Sequence, residues 1–174
     1  KIEIVGHGID TDFFKPLPSS IKYQTLDTFK IIAVGRISPI KNLPTLIEAV
    51  NILINQKNIK DIEVEIIGTP LGKDEERYRQ DIQKQYKLTP ADKKDLPGRI
   101  VFSGGKHHQE MAEVYRGNNL LINLSPTGGM DKVVLEAMAC AIPVLLCNNT
   151  IKESFGEFAV VLVFQENNPG DLSQ

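Results

Sequence analysis

The sequence predicts an α/β fold built on a doubly wound parallel sheet. The largely apolar run 29–34 ends at a glycine, as expected of a strand that is buried on both faces of a parallel sheet, and the next expected strand, 62–67, also ends at a glycine. Between them, apolar residues recur at three- and four-residue spacing over 43–54, which indicates an amphipathic helix. Strands that alternate with helices at this spacing favour a Rossmann-like sheet with right-handed crossovers.

The remaining elements continue this alternation. The expected strands are 99–103, 119–124, 143–147 and 159–164, and the expected helices are 74–87, 109–116 and a segment around Glu136. We also expect a strand at 1–5, connectors at 14–27 and 89–98, and the opening turn of a helix at 168–174. We therefore divide the chain into an incoming strand and connector, 1–28, and a Rossmann-like domain, 29–174. Both ends look cut from a longer protein.

Composition and charge limit the classes of function. The 174 residues are 41% hydrophobic and 24% charged, which is ordinary for one soluble globular domain. The net charge of -2 gives no general attraction to nucleic acid or to an anionic membrane, so no nucleic-acid partner is expected. No apolar run approaches the roughly 20 residues that span a bilayer. Cys140 and Cys147 lie among apolar residues, and we interpret them as buried thiols in a reducing compartment rather than as a disulfide or metal pair.

Two cationic residues follow the first core strand within one loop. Gly35 ends the strand, and Arg36 and Lys41 follow before the helix begins at Leu43. Arginine offers a planar fork for phosphate oxygens, and lysine offers a mobile point charge. Ligands of such sheets bind beyond the carboxyl ends of the strands, where this loop lies. The loop is a candidate diphosphate clamp, and the alternative is ordinary solvated surface charge.

A second candidate site is the glycine loop before the helix that carries Glu136. Gly128 and Gly129 allow a ligand to approach the backbone closely. The start of the helix offers unpaired N–H groups and the positive end of a dipole to an anion. Glu136 has apolar neighbours, so a partner is expected for its carboxylate, and a ribose diol would supply one. Phosphate and diol together point to a nucleotide-type ligand, whereas the alternative is a plain turn before a core helix.

Four segments, in this order, carry a resemblance to a known family. Residues 7–16 read HGIDTDFFKP, 34–42 read VGRISPIKN, 101–104 read VFSG and 133–144 read VVLEAMACAIPV. Together they resemble the carboxy-terminal half of retaining glycosyltransferases of family 4, which have the two-domain GT-B fold. The resemblance covers almost the whole chain, and its specificity comes from the order of all four segments.

The resemblance implies a binding site for a nucleoside-diphosphate sugar, the donor. It assigns Arg36 and Lys41 to the leaving diphosphate, as the catalytic cations, and Glu136 to the ribose hydroxyls. The other donor contacts that it implies are Gly35, Gly105, Lys106, Gly128, Gly129, Met130, Asp131 and Lys132. The family transfers a hexosyl group to an acceptor hydroxyl in glycan or glycolipid synthesis, with retention of configuration and generally without a metal or other cofactor.

One position departs from the family pattern. The first glutamate of the paired-glutamate motif, eight positions before the second, is Gly128 here. We interpret this as a change in how the donor sugar is held, for example by Asp131, and the alternative is a non-catalytic relative or interaction module. A dinucleotide-dependent oxidoreductase matches poorly, because Gly35 is followed by Arg-Ile-Ser rather than by the remainder of Gly-x-Gly-x-x-Gly.

The resemblance also implies that the acceptor pocket belongs to an amino-terminal domain that this chain lacks. We therefore expect the chain to fold and to bind a nucleotide weakly, but not to catalyse transfer alone. A cytoplasmic location is expected, with any association with the inner face of a membrane made only through the missing half. His107 and His108 are expected at the surface or at a base edge, because adjacent side chains point apart.

Overall fold

A computed structural model of the chain describes residues 8–18, 28–86, 88, 99–126 and 131–174. Within these residues, five strands form one parallel sheet in the order β3-β2-β1-β4-β5. The strands are β1 (Phe29–Val34), β2 (Ile62–Ile67), β3 (Arg99–Gly104), β4 (Leu120–Asn123) and β5 (Val144–Leu146). The strand order reverses between β1 and β4, and a crevice beyond the carboxyl ends of the strands is expected at such a switch point.

Helices cover both faces of this sheet, and each face has its own apolar core. The helices are α1 (Leu43–Asn55), α2 (Gly72–Gln85), α3 (His108–Arg116), α4 (Lys132–Ala139), α5 (Ala159–Leu162) and α6 (Pro169–Leu172). In β1, Ile31 and Ala33 pack with residues of α1 and α2, whereas Ile32 packs with residues of α3 and α4. The alternation along β1 therefore confirms a strand that is buried on both faces.

Most of the predicted elements are confirmed. The bounds of β1 and β2 agree with the prediction, and the ends of α1, α2, α3, β3, β4 and β5 differ from it by at most two residues. The predicted opening of a helix near the end of the chain is α6, where the Asn168 side chain accepts a hydrogen bond from the Asp171 N–H. The strand predicted at 1–5 and the connector at 89–98 lie outside the described residues, and the connector at 14–27 is described only as far as residue 18.

The predicted strand at 159–164 is wrong. Ala159–Leu162 form α5, and only Val163 makes an isolated parallel bridge, to Leu146 of β5. Val160 and Val161 are 84% and 68% exposed, so the middle of this apolar run is not buried as a core strand would be. A short apolar run cannot be assigned to strand or helix from its period alone, and here a kink at Gly156 (φ 53°) leads the chain into a helical turn.

Both cysteines are free and buried, which confirms the prediction of buried thiols. Burial raises the pKa of the Cys147 thiol to about 11.

In the part of the chain that the structure describes, no helix has both the length and the apolar character needed to cross a bilayer.

Candidate functional site

An open cleft of about 520 Å³ lies beyond the carboxyl ends of β1, β2 and β3. This volume falls within the range of roughly 300–1,000 Å³ that is usual for small-molecule sites. Its walls come from the ends of three strands and from α3 and α4, and they include Gly35, Arg36, Gly68, Thr69, Gly105, Lys106, Tyr115 and Glu136. Five of the residues singled out in the sequence therefore lie around one cleft: Gly35, Arg36, Gly105, Lys106 and Glu136.

Two glycines bring the ends of β1 and β2 into backbone contact at the base of this cleft. Gly35 and Gly68 have φ values of 145° and 154°, which side-chain-bearing residues rarely adopt. A Cβ atom on Gly68 would lie 1.8 Å from the carbonyl oxygen of Gly35. The Gly35 N–H donates to the Ile67 carbonyl at 2.9 Å, and the Gly68 N–H donates to the Gly104 carbonyl at 2.8 Å. No side chain fits at Gly68, so the cleft depends on glycine at this position.

Arg36 lies at the mouth of the cleft with its side chain 54% exposed. Its Nε is 3.3 Å from Oε1 of Glu75 on α2, and Glu75 also accepts a hydrogen bond from the Leu71 N–H at 2.6 Å. Within the described residues, this 3.3 Å contact with Glu75 is the ion pair that the Arg36 guanidinium makes. A guanidinium carries five N–H donors, so most of them remain available to an anionic ligand.

Glu136 is only 8% exposed, and its carboxylate lies at the wall of the cleft. The Tyr115 hydroxyl donates a hydrogen bond of 2.8 Å to Oε2 of Glu136. Burial, together with this hydrogen bond, raises the pKa of Tyr115 well above its ordinary value, so the phenol stays protonated and acts as a donor. The sequence predicted that Glu136 has a partner. It gave no sign that the partner is Tyr115, which lies 21 residues away.

Lys41 does not line this cleft. It lines a small adjoining cavity of about 20 Å³ that it shares with Arg36 and Asn123. Its ammonium group lies 2.9 Å from Oδ2 of Asp131 and also donates a hydrogen bond to the Ser125 hydroxyl. A Cβ atom on Gly35 would lie 3.4 Å from Cε of Lys41, so the lysine side chain runs along the backbone at the end of β1. The positive charge of Lys41 is thus matched by a carboxylate of the protein.

Asp131 is the centre of a polar network at the start of α4. Its Oδ2 accepts hydrogen bonds from Asn123 Nδ2 at 2.9 Å, from Ser125 Oγ at 2.8 Å and from Lys41. Burial alone would raise the pKa of Asp131, but the hydrogen bonds from Asn123, Lys41 and Ser125 outweigh it and hold the pKa below the ordinary value. Asp131 occupies the N-cap position of α4, yet its side chain does not cap the helix.

The other residues singled out in the sequence are placed as follows. Gly105 continues from β3 into the wall of the cleft, where a Cβ atom would lie 3.3 Å from Cγ2 of Thr69. Lys132 is exposed at the first residue of α4. Gly128, Gly129 and Met130 lie outside the described residues. In the described ranges, no three His, Cys, Asp or Glu side chains lie together as metal ligands would.

The two adjacent histidines, His107 and His108, differ in position. His107 is exposed, and its backbone N–H donates a hydrogen bond of 2.8 Å to Oε2 of Glu110 at the start of α3. His108 lies at the wall of the cleft, where its ring stacks on Phe13 with a centroid separation of 5.6 Å.

The Asp131 network leads to a prediction about stability and pH. The pKa of Asp131 is lower in the folded chain than its ordinary value of 3.8, so its interactions stabilise the fold above that value and are lost as the pH falls through the folded-state pKa. Asp131→Asn should therefore lower the free energy of unfolding by about 1 kcal/mol near pH 7, a modest effect because the side chain is partly exposed. Urea unfolding at several pH values should show this difference shrinking below about pH 4.

Asp74→Asn is the matched control for that measurement, because the Asp74 carboxylate is almost fully exposed and makes only a 3.6 Å contact with Arg77. A difference for Asp131→Asn that stayed constant from neutral to acid pH would show that the charge of Asp131 contributes nothing to the network.

The parallel sheet, with helices on both faces and a cleft at the carboxyl ends of its strands, defines a Rossmann-like domain. Residues 28–174 match the family model Glycosyl transferases group 1, and the chain belongs to this family. The predicted fold class is thereby confirmed, because the chain has the parallel sheet with flanking helices and shares its fold with solved glycosyltransferase structures, among them a C-terminal domain.

Among proteins of known sequence, the chain is 30% identical over 151 residues to a D-inositol 3-phosphate glycosyltransferase from Gordonia bronchialis. The alignment covers 83% of this chain and 32% of that protein, so the chain spans about a third of the length of the curated relatives it matches.

Two solved structures illustrate the similarity of fold. The C-terminal domain of a glycosyl transferase group 1 family protein from Francisella tularensis has a TM-score of 0.67 and 22% identity, covering 95% of this chain and 84% of that one. A TarM variant from S. aureus, in complex with Fondaparinux, alpha-GlcNAc-glycerol and UDP, has a TM-score of 0.66 and 15% identity, covering 87% of this chain and 28% of that one. At these identities the likeness is one of fold.

Proposed function

We propose that this chain is the donor-binding domain of a retaining glycosyltransferase of family 4. In this proposal the whole protein transfers a hexosyl group from a nucleoside-diphosphate sugar to an acceptor hydroxyl of a glycan or glycolipid. The observation that carries the proposal is the meeting of Arg36, Lys106 and Glu136 at one cleft beyond the carboxyl ends of the strands. The UDP bound to TarM, a protein of similar fold, supports a nucleoside diphosphate as the ligand.

The charges around the cleft suit the two ends of such a ligand. The exposed guanidinium of Arg36 would exchange its 3.3 Å contact with Glu75 for charge-assisted hydrogen bonds to phosphate oxygens. The carboxylate of Glu136 is an acceptor, and a ribose presents two adjacent hydroxyl donors. A phosphate could not bind beside Glu136, because two negative charges repel, and this fixes the orientation of the nucleotide.

The same residues suit the bond cleavage that donor activation requires. Breaking the bond between the sugar and the diphosphate leaves negative charge on the departing phosphate, and preorganised cations stabilise that charge. Arg36 is placed for this role. Lys41 would act from the adjoining cavity, where its ion pair with Asp131 fixes its position. The proposal includes no metal or other cofactor, since cationic side chains meet the charge of the donor.

The acceptor site would lie in a part of the full-length protein outside this chain. The chain alone is therefore proposed to bind the nucleotide without catalysing transfer. The full-length protein is proposed to work in the cytoplasm, with any peripheral contact with a membrane made through that other part.

A non-catalytic relative is the second candidate, and a specific observation favours it. Gly128 replaces the first glutamate of the family motif, and the nearby carboxylate of Asp131 already binds Lys41, Asn123 and Ser125 through Oδ2. Hydrolysis of UDP-, GDP- and ADP-sugars by the full-length protein separates the two candidates. An enzyme should release the nucleoside diphosphate from one of these donors, whereas a non-catalytic relative should bind it without turnover.

Arg36→Ala tests the diphosphate end of the proposed site. The loss of charged hydrogen bonds should weaken the binding of a nucleoside diphosphate by about 1–2 kcal/mol, or roughly 5- to 30-fold, with little effect on the nucleoside alone. Titration calorimetry of the chain with UDP, GDP and ADP, and with the three nucleosides, measures both quantities.

Arg77→Ala is the control, because Arg77 is an exposed arginine of α2 that pairs with Asp74 away from the cleft. Its affinities should equal those of the unsubstituted chain. An equal loss of affinity in both variants would mean that Arg36 acts only through the net charge of the domain.

A further inference from the structure

We propose that Tyr115 is a positioning residue that orients the carboxylate of Glu136 and thereby sets the preference of the cleft for ribose over deoxyribose. This inference rests on the proposed function, because it takes the ligand of Glu136 to be a ribose diol. It concerns a residue of α3 that lines the cleft and would act through Glu136.

The position of Tyr115 is fixed by its surroundings. Its side chain is fully buried and belongs to the apolar core beneath α3 and α4, together with Val134 and Ala137 of α4. The ring also packs against Phe14, with the two centroids 5.9 Å apart. A close-packed interior allows such a ring little freedom, so its hydroxyl donates to Glu136 from a fixed place.

The Tyr115 hydroxyl donates to the Glu136 carboxylate, which would otherwise rotate about its terminal torsion. The terminal torsion of a glutamate side chain is broad, because rotation of the carboxylate meets no sharp staggered minima. The 2.8 Å hydrogen bond from Tyr115 to Oε2 removes this freedom at Glu136. Within the described residues, this is the side-chain hydrogen bond that the carboxylate accepts, and it takes one of the four or so acceptor positions.

A carboxylate that is held in one orientation discriminates better between ribose and 2′-deoxyribose than one that rotates. Two adjacent hydroxyls can both donate to a carboxylate only when they lie near its plane, on the side of its oxygens, whereas a 2′-deoxyribose offers a single donor whatever the orientation. The loss of orientation should therefore weaken the binding of ribonucleotides more than that of deoxyribonucleotides. A purely structural role for Tyr115, namely satisfying a buried carboxylate, would lower stability and leave this ratio unchanged.

Tyr115→Phe, measured beside Tyr86→Phe, separates the two roles. Tyr86 is the matched control because its hydroxyl also donates to a glutamate, Glu48, at 2.7 Å, on the other face of the sheet and away from the cleft. Calorimetric Kd values for UDP, GDP and ADP and for their 2′-deoxy forms give the ratio of affinities. In Tyr115→Phe the ratio should fall roughly fivefold to tenfold, the effect of losing one hydrogen bond. In Tyr86→Phe it should not change.

Fluorine NMR provides a second measurement that tests the inference even if Tyr115→Phe does not fold. With 3-fluorotyrosine at all four tyrosines, the Tyr115 resonance is identified by elimination using phenylalanine variants of the other three. This resonance should move more when the ribonucleotide is added than when the deoxy form is added, because the Tyr115 hydroxyl shares the Glu136 carboxylate with the diol.

The outcomes that overturn the inference are distinct from those that overturn the proposed function. A ribose preference that survives Tyr115→Phe, or a Tyr115 resonance that UDP, GDP and ADP all leave in place while they bind, overturns the role of Tyr115 and leaves the proposed function standing. The absence of binding of all three nucleoside diphosphates to the unsubstituted chain overturns both.

Discussion

Replacing Gly68 with alanine is expected to destabilise the domain by about 3 kcal/mol or more, because the new methyl group overlaps backbone and not a movable side chain. A Cβ atom at this position would lie 1.8 Å from the carbonyl oxygen of Gly35, and the φ of 154° is itself unfavourable for alanine. To relieve the overlap, the ends of β1 and β2 must separate, which breaks the hydrogen bond from the Gly35 N–H to the Ile67 carbonyl. Urea unfolding of the two proteins measures the change in the free energy of unfolding.

Gly72→Ala is the control that separates overlap from backbone strain. Gly72 also has a positive φ, 79°, but a Cβ atom there would meet no heavy atom within 4 Å. Its substitution should therefore show only the strain of a positive φ, about 1–2 kcal/mol. Equal destabilisation by the two substitutions would contradict the close backbone contact between Gly35 and Gly68.

Replacing Glu136 with glutamine should weaken the binding of a ribonucleoside diphosphate by about 2–3 kcal/mol, or roughly 30- to 150-fold. The amide keeps one acceptor oxygen, so Tyr115 can still donate to it and the fold should be retained. The amide loses the negative charge and the second acceptor that a diol would use. Affinity should therefore fall much more than the melting temperature, and calorimetry and thermal unfolding of the same sample measure both.

Glu48→Gln is the matched control, since Glu48 also accepts a hydrogen bond from a tyrosine, Tyr86, but lies away from the cleft. It should leave nucleotide affinity unchanged. If Glu136→Gln lowered the melting temperature and left affinity intact, Glu136 would be a structural residue and the ribose site would have to lie elsewhere.

Local sequence patterns predicted the framework of the fold well. The run of β1 is largely apolar because both faces of this strand are buried, and that pattern is visible in the sequence itself. The run at 159–164 has the same apolar character, but it lies beyond the short edge strand β5 and forms α5. Whether this segment forms a strand or a helix depends on its position relative to the sheet, and a local sequence pattern does not predict that position.

The candidate site was predictable only in part. Arg36 and Glu136 each follow a recognisable pattern, a strand end and an acid on an apolar helix, and both lie at the cleft. The partners of Lys41 and Glu136 could not be predicted, because the Lys41–Asp131 pair joins residues 90 apart and the Tyr115–Glu136 pair joins residues 21 apart. Such pairs depend on the strand order, which brings β1 beside β4 and α3 beside α4.

The central claim is that Arg36 and Glu136 hold the two ends of one nucleotide. A crystal structure of the chain with whichever of UDP, GDP or ADP binds most tightly tests it most directly. We predict phosphate oxygens within about 3.2 Å of the Arg36 guanidinium and ribose hydroxyls at the same distance from the Glu136 carboxylate. A nucleotide bound outside this cleft, or bound within it with its ribose turned away from Glu136, would contradict the account.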